Sequence, residues 1–461
     1  MIKAPLTSNE NFNWRKQFQS FRYPSLVIGI VIILGVITFV FFPDPFINLL
    51  LKGKITNAFS EAYPKDSLKL GYLHYNIWKN RLGCDSVVLK TNDFTCKIPS
   101  LSVSGIGFTK ILLHKGFTPN TLSGLIIDAQ NSVIIFSQSQ NEFQLGRLHI
   151  SFPDSEIVAD SIKYYSLLND EQFFAKSQFR QTRFRIKIPL IRINSLDCLA
   201  MLRGIAVKAK NININEASTD ILVNMDKPYD KNSANPQMPN EAFASIKESV
   251  KIDSLIILNG QLIYCERYTA GAKPGVVSIN KINISAGEIS NLSSKPGTTI
   301  IRGEGLLLTS TKINLFMAIP FNSKEFSLQY SGSLGRMDVT ELNSFIEPGE
   351  HQRIKTGTLQ SASFNININS GIASGILNAD YKDLTIDAIN KETGSEKGIL
   401  NRITSLFDKL FIVRGSNLPD KQGSIKIGQI IYKRDPEDYF FQFIWFAVRN
   451  GVADIVGFPK K

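Results

Sequence analysis

Four cysteines and four histidines in 461 residues leave little material for disulfide, metal or nucleophile chemistry. Cys84, Cys96, Cys198 and Cys265 lack the dense spacing of a secreted disulfide framework and read as small buried apolar residues. On a hairpin turning at Thr91-Asn92-Asp93, the register places Cys84 near Ser100 rather than opposite Cys96, which argues against a local bridge. His74, His114, His149 and His351 lie far apart, without ligand spacing to cysteines or carboxylates, so no metal site is expected. Gly303-Glu304-Gly305 has no third glycine and no Lys-Ser or Lys-Thr partner, and Gly371-Ile372-Ala373-Ser374-Gly375 misses the nucleophile-elbow spacing by one residue. No cofactor motif is present. Scattered acids such as Glu266 and Asp383 are expected in surface or turn roles, and the chain is not expected to be an enzyme.

Long apolar runs are also scarce. The one stretch able to cross a bilayer is Leu26 to Phe42, which carries no charge over 17 residues, at the lower edge of the ~17 to 25 that a spanning helix needs. Lys3, Arg15, Lys16 and Arg22 precede it against Glu10, and Pro43-Asp44-Pro45 follows, so the positive-inside rule keeps residues 1–24 cytoplasmic and exports the bulk. A cleaved signal peptide is the competing reading, but such cores are usually shorter and end in small residues, whereas this one ends Phe-Phe-Pro-Asp-Pro. An uncleaved anchor over 25–42 is therefore expected. The net charge of +12 and pI near 9.3 suit anionic head groups as well as a solvated Lys-rich exterior. Nucleic acid is not an expected partner.

Beyond the anchor, residues 43–66 hold an amphipathic helix, with Ile47, Leu50, Leu51, Ile55 and Phe59 at helical spacing and Pro64 closing it. From Ser67 the period changes from 3.6 to 2, and short alternating runs follow one another, separated by Gly, Asn, Asp and Ser. The fold class is mainly β: a long curved antiparallel sheet built of repeated units, with few helices. Lys97-Ile98-Pro99 returns as Lys187-Ile188-Pro189, and Leu101, Val103 and Ile106 match Ile191, Ile193 and Leu196, which points to an internal duplication within a first β unit, 67–225. Each copy then passes a short helical bend, Phe108 to Leu113 and Cys198 to Leu202. Turn formers and charge make 226–248 a linker. A second β unit spans 249–434, with a helical insert at 397–410. A last amphipathic helix, 435–461, starts at Asp435 as N-cap with Pro436 in its first turn; its polar residues Gln442, Arg449, Asn450 and Asp454 favour docking on the β core over a second span.

An antiparallel sheet with one apolar face must cover it with another sheet, with helices or with a ligand. Helices are few here. The apolar faces could instead close into ordinary sandwiches, and periodicity alone does not decide between the two. The residues expected to line an apolar groove are Leu101, Val103, Ile191, Ile193, Ile252, Ile256, Leu262, Ile313, Leu315, Met317, Phe364 and Ile366. Arg183, Arg185 and Lys187 share one strand face and are candidate head-group contacts, with a solvated outer face as the plainer role.

The order of anchor, amphipathic helix and a strand with Leu68, Leu70 and Tyr72 leading into repeated β units resembles the AsmA-like family of bacterial envelope proteins, themselves similar to bridge-like, chorein-type lipid-transfer proteins. VKIDSLIILNGQLIYCER followed by PGVVSINKINISAGEISN resembles the strand pair opening the family's C-terminal unit. YSGSLGRMDVTELNSFIEP and GILNADYKDLTIDAIN resemble later segments, through Gly332, Gly335, Leu342, Asn343 and Tyr381 to Leu384, and the aromatic helix ending Arg449-Asn450-Gly451 resembles the family's ending. The resemblance covers most of the chain beyond residue 25, and the chain is much shorter than the large members. It implies an inner-membrane-anchored periplasmic β-groove in outer-membrane lipid homeostasis or assembly, with phospholipid or another envelope lipid as ligand and no cofactor. An assembly scaffold contacting outer-membrane biogenesis proteins is the alternative.

Overall fold

A computed structural model describes residues 30–38, 40–105, 122–232, 235–292, 297–321, 323, 325–350, 352–388 and 413–457. The tail expected to be cytoplasmic, the start of the expected anchor, the expected bend at 108–113 and the expected insert at 397–410 lie outside them. Residues 30–38 and 40–41 are helical, and their apolar side chains stand in the open, but no helix of the described residues is long and apolar enough to cross a membrane.

The chain is mainly β, as its period-2 runs dictate, and the described residues contain a single mixed sheet of 21 strands. The first six are halves of three interrupted strands: β1 (Ser67–Leu70) with β2 (Leu73–Asn76), β3 (Arg81–Cys84) with β4 (Val87–Lys90), and β5 (Phe94–Ile98) with β6 (Ser100–Ser104). Then β7 (Ile126–Phe136), β8 (Asn141–Ser151), β9 (Glu156–Ser166) and β10 (Thr182–Asn194) follow as antiparallel neighbours. β11 (Ala206–Asn215) and β12 (Ser218–Asn224) both pair with β10, as one broken strand. The antiparallel expectation fails at the next step, because β11 and β12 run parallel to β13 (Ser249–Arg267). A parallel pair needs a crossover of a dozen or more residues, and residues 225–248, read from sequence as a linker, make that crossover. Its Met238 is fully buried in the core at the far end of the sheet, and its Phe243 ring lies 4.6 Å from Phe321. Antiparallel order then resumes through β14 (Gly275–Ser290), β15 (Thr299–Leu307), β16 (Thr311–Ile319), β17 (Leu328–Leu334), the two-residue β18 (Met337–Asp338), β19 (Gln352–Asn369), β20 (Ile372–Ala388) and β21 (Ile427–Lys433).

A crease runs across the first ten strand positions. Pro99 falls opposite Asn131, Gly146 opposite Ser161, and Pro189 between Ser161 and Glu216, whose parallel neighbour is Asn259. Asn131, Ser161, Glu216, Asn259 and Lys281 have φ between 49° and 55°, a left-handed conformation that interrupts a strand and reverses its side-chain alternation. This accounts for two prolines in the middle of a sheet, where proline is otherwise excluded: each faces a kinked residue in a neighbouring strand. Gly146 is required for a different reason, since a Cβ there would sit 2.7 Å from that of Ser161. The Lys-Ile-Pro repeat is thus two instances of the crease.

Both side edges are closed by helices through the same device. At one end, residues Asp44–Ala62 form a helix whose π-helical middle is Asn48–Lys52. Its Asn48 exchanges two hydrogen bonds with the backbone of Leu73, and Asp44 accepts from the Tyr75 N–H at 2.7 Å. At the other end, the helix Phe440–Val456 places Asn450 and Asp454 to accept from the N–H groups of Ile431 and Gln429. In both cases two side chains four apart on a helix satisfy alternate N–H groups of an edge strand, which removes the template for further strand pairing. This last helix begins five residues later than expected. Asp435 accepts from the Glu437 N–H and the Asp438 N–H donates to the Asp435 carbonyl, so Asp435 closes a turn of its own.

His74 joins the first helix to the sheet, 3.0 Å from both Asp44 and Asp85. Hydrogen bonding to Asp85 first and Asp44 second raises its pKa above 6.5. The raised folded-state pKa means that this contribution is complete below about pH 6.5 while the carboxylates stay ionised, and is lost as pH rises through the folded value. Exchange of the Tyr75 amide, corrected for intrinsic rate, is expected to be better protected at pH 6 than at pH 8.5, and His74→Gln should abolish the difference. Equal protection in the native chain would show that the histidine does not couple helix and sheet.

Candidate functional site

Directly paired residues of adjacent strands share a face, so the registers trace each face across the sheet. One row runs Leu101, Ala129, Leu148, Ala159, Ile191, Ile214, Ile257, Ile284, Gly303, Leu315, Gly332 and Phe364. Across the crease a second runs Cys96, Ile134, Phe143, Tyr164, Ile186, Thr219, Leu262, Ile279 and Leu307. In β10 the members are Phe184, Ile186 and Ile188, then Ile191 and Ile193. The apolar period of two skips by three at Pro189, which keeps both halves of the strand apolar on the same face. The next row on the opposite face reads Ser102, Asp128, His149, Val158, Arg192, Asn213, Ile256, Ser285, Arg302. Ion pairs lie along that face, among them Arg147 with Asp160 at 3.1 Å and Arg192 with Glu156 at 3.1 Å.

The apolar face is covered at its two ends. Ile47 and Leu51 of the first helix pack on Leu73, Cys84 and Leu101. At the other end Phe443, Ala447 and Ile455 of the last helix join Met317, Tyr330, Ile366 and Ile430 in the largest core, and the Tyr330 hydroxyl donates to the Ile444 carbonyl at 3.1 Å. Between these covers, on β7 to β14, Ile157 and Ile193 pack at one margin with Leu196, Cys198 and Met201, while the side chains of Ile127, Ile134, Ile150, Ile186, Ile214 and Ile257 remain partly exposed and belong to no core cluster of described residues. Seven strand positions ~4.8 Å apart make this open stretch ~34 Å long.

The twelve expected lining residues divide accordingly. Leu101, Val103, Ile191, Ile193, Leu262, Ile313, Leu315, Met317, Phe364 and Ile366 share the apolar face. Ile252 and Ile256 do not: they pair with Ala209 and Asn213 on the opposite face, while Leu255 and Ile257 point to the apolar side. Four consecutive apolar residues, Leu255 to Leu258, hide the alternation in sequence. Met317 and Ile366 are sealed in the core under the last helix, with Leu315 and Phe364 packed beside them, rather than open. Sequence reading passed over Ile127, Leu148, Ile150, Ile162 and Ile214, whose signal is the two-then-three skip.

Arg183, Arg185 and Lys187 also lie on the polar face. Arg183 is buried, 3.1 Å from Asp170 and 3.0 Å from Asp220, and Arg185 shares Asp170 at 2.8 Å. Two carboxylates already satisfy these guanidinium groups, on the side away from the apolar face, so neither meets a head group there. All four cysteines are free; Leu89 lies opposite Cys96 and Leu101 opposite Cys84, one residue from the expected register. Burial raises the Cys265 thiol to about 11, which suits packing rather than reactivity. Among the described residues no three His, Cys, Asp or Glu side chains converge as metal ligands. No family model and no curated protein matches the chain.

Proposed function

We propose that this chain is a non-enzymatic lipid-binding protein of the cell envelope, held at the inner membrane by residues 25–42 with its sheet in the periplasm, where it serves outer-membrane lipid homeostasis or assembly. The observation that carries the reading is the apolar face left uncovered from β7 to β14. An exposed apolar surface of that extent belongs to a binding site in a soluble domain. Acyl chains would lie along it while head groups stay in water, which avoids the cost of burying charge. At ~0.8 kcal/mol per methylene, ten buried methylenes supply roughly 8 kcal/mol before the costs of association. The open length matches about two chains end to end, since each leaflet of a bilayer is roughly 15 Å of hydrocarbon. Covers at both ends favour a protein that holds lipid over one that passes it from end to end. The resemblance to AsmA-like proteins agrees with this assignment.

A photoreactive phenylalanine analogue placed in cells at Ile214 or Ile150 is expected to give phospholipid adducts by mass spectrometry, and one at Asn213, adjacent but on the polar face, is expected to give none. Equal labelling at Ile214 and Asn213, or no lipid adduct at either apolar position, would overturn the proposal.

A further inference from the structure

On the polar face, behind the closed end of the apolar one, the sheet is hollowed into an open depression of about 740 Å³ spanning β13 to β19. That volume falls within the ~300–1,000 Å³ typical of small-molecule sites. Its chemistry is unlike the ion-pair ladder elsewhere on the same face. Arg302 has no carboxylate partner among the described residues and lies over the Phe316 ring at 5.6 Å. Glu304 accepts from Asn283 at 3.1 Å and Asn314 donates to the Ser333 hydroxyl at 3.1 Å, bonds that leave each side chain further hydrogen-bonding capacity. Ile256 supplies an apolar flank.

We propose that this depression binds a neutral oligosaccharide. Short hydroxyl and amide side chains fixed on adjacent strands offer alternating donors and acceptors at little entropic cost. The face of the Phe316 ring opposite the Arg302 guanidinium would serve as a flat platform for a sugar's C–H face. Other ligands fit less well. A phosphate would meet one cation beside the Glu304 carboxylate, a peptide strand would find no free backbone in mid-sheet, and an acyl chain would strand these polar groups without water. The site is separate from the lipid-facing surface and does not depend on that assignment.

The test is calorimetric titration of the full-length chain with glucose and N-acetylglucosamine tetrasaccharides. At least one is expected to bind with millimolar or better affinity, and Phe316→Ala and Ser333→Trp, one removing the platform and one filling the hollow, should each weaken it ~tenfold or more. Lys163→Ala, exposed on β9 and remote from the depression, should leave it unchanged. Absence of binding by both sugars up to about 10 mM, roughly ten times a millimolar dissociation constant, would overturn the proposal. So would binding that survives both Phe316→Ala and Ser333→Trp in folded protein.

Discussion

Replacing Gly451 with leucine is expected to strip the last helix from the sheet. Gly451 is buried where helix and sheet come closest: a Cβ there would lie 2.7 Å from Ile430 and 2.9 Å from Leu377, and one on Gly428 would lie 2.3 Å from the Gly451 carbonyl. Two glycines facing each other set the approach distance, so a larger side chain at either must push helix and strand apart. Overpacking alone costs about 1–3 kcal/mol. Moving the helix away then exposes Phe443, Ala447 and Ile455 together with the residues beneath them, each worth roughly 1.5–3 kcal/mol for a large side chain. The expected result is a loss above ~3 kcal/mol, read as a lowered denaturant midpoint, new binding of a hydrophobic dye, and proteolysis between β21 and the helix. Gly451→Ala should show the same in milder form. Unchanged stability in the leucine variant would mean that the helix is not seated as described.

The second large effect concerns the open face. Ile191 and Ile214 are cross-strand partners at its centre, and replacing both with glutamate puts two like charges side by side where acyl chains are proposed to lie. Loss of ~90% or more of co-purifying phospholipid is expected, because a carboxylate cannot share an apolar contact without paying several kcal/mol. Asn213→Glu, one residue away with its side chain on the other face, is the control and should retain lipid. Ile214→Trp, which fills space without charge, separates lipid loss from misfolding. Lipid retained by the folded double variant would contradict the proposed site.

Much of this architecture was legible because period-2 alternation is a local property. The helix over 44–62 and the bend at Cys198–Leu202 were legible for the corresponding helical reason. What escaped depends on direction or distance. The turn formers of 226–248 announce an irregular connection but carry no sign of whether the next strand runs parallel. The cover over Met317 and Ile366 comes from Phe443 and Ala447, remote in sequence, and no alternation pattern records which face a distant helix selects. The crease stood in plain view in β10, as Phe-Arg-Ile-Lys-Ile-Pro-Leu-Ile-Arg-Ile, but a proline ordinarily ends a strand, and only the left-handed residues facing Pro189 explain why this one continues.

The Asx pairs on the two terminal helices determine how such a molecule could grow. With Asn48 and Asp44 occupying one margin and Asn450 and Asp454 the other, a new strand added to either flank would have to evict a helix before finding an amide to bond. Insertion in the interior meets no such obstacle, because each added hairpin inherits paired neighbours on both sides and needs only its own kinked residue to continue the fold line. Lengthening by duplication from within, with the two ends kept as stops, is the evolutionary route this construction leaves open.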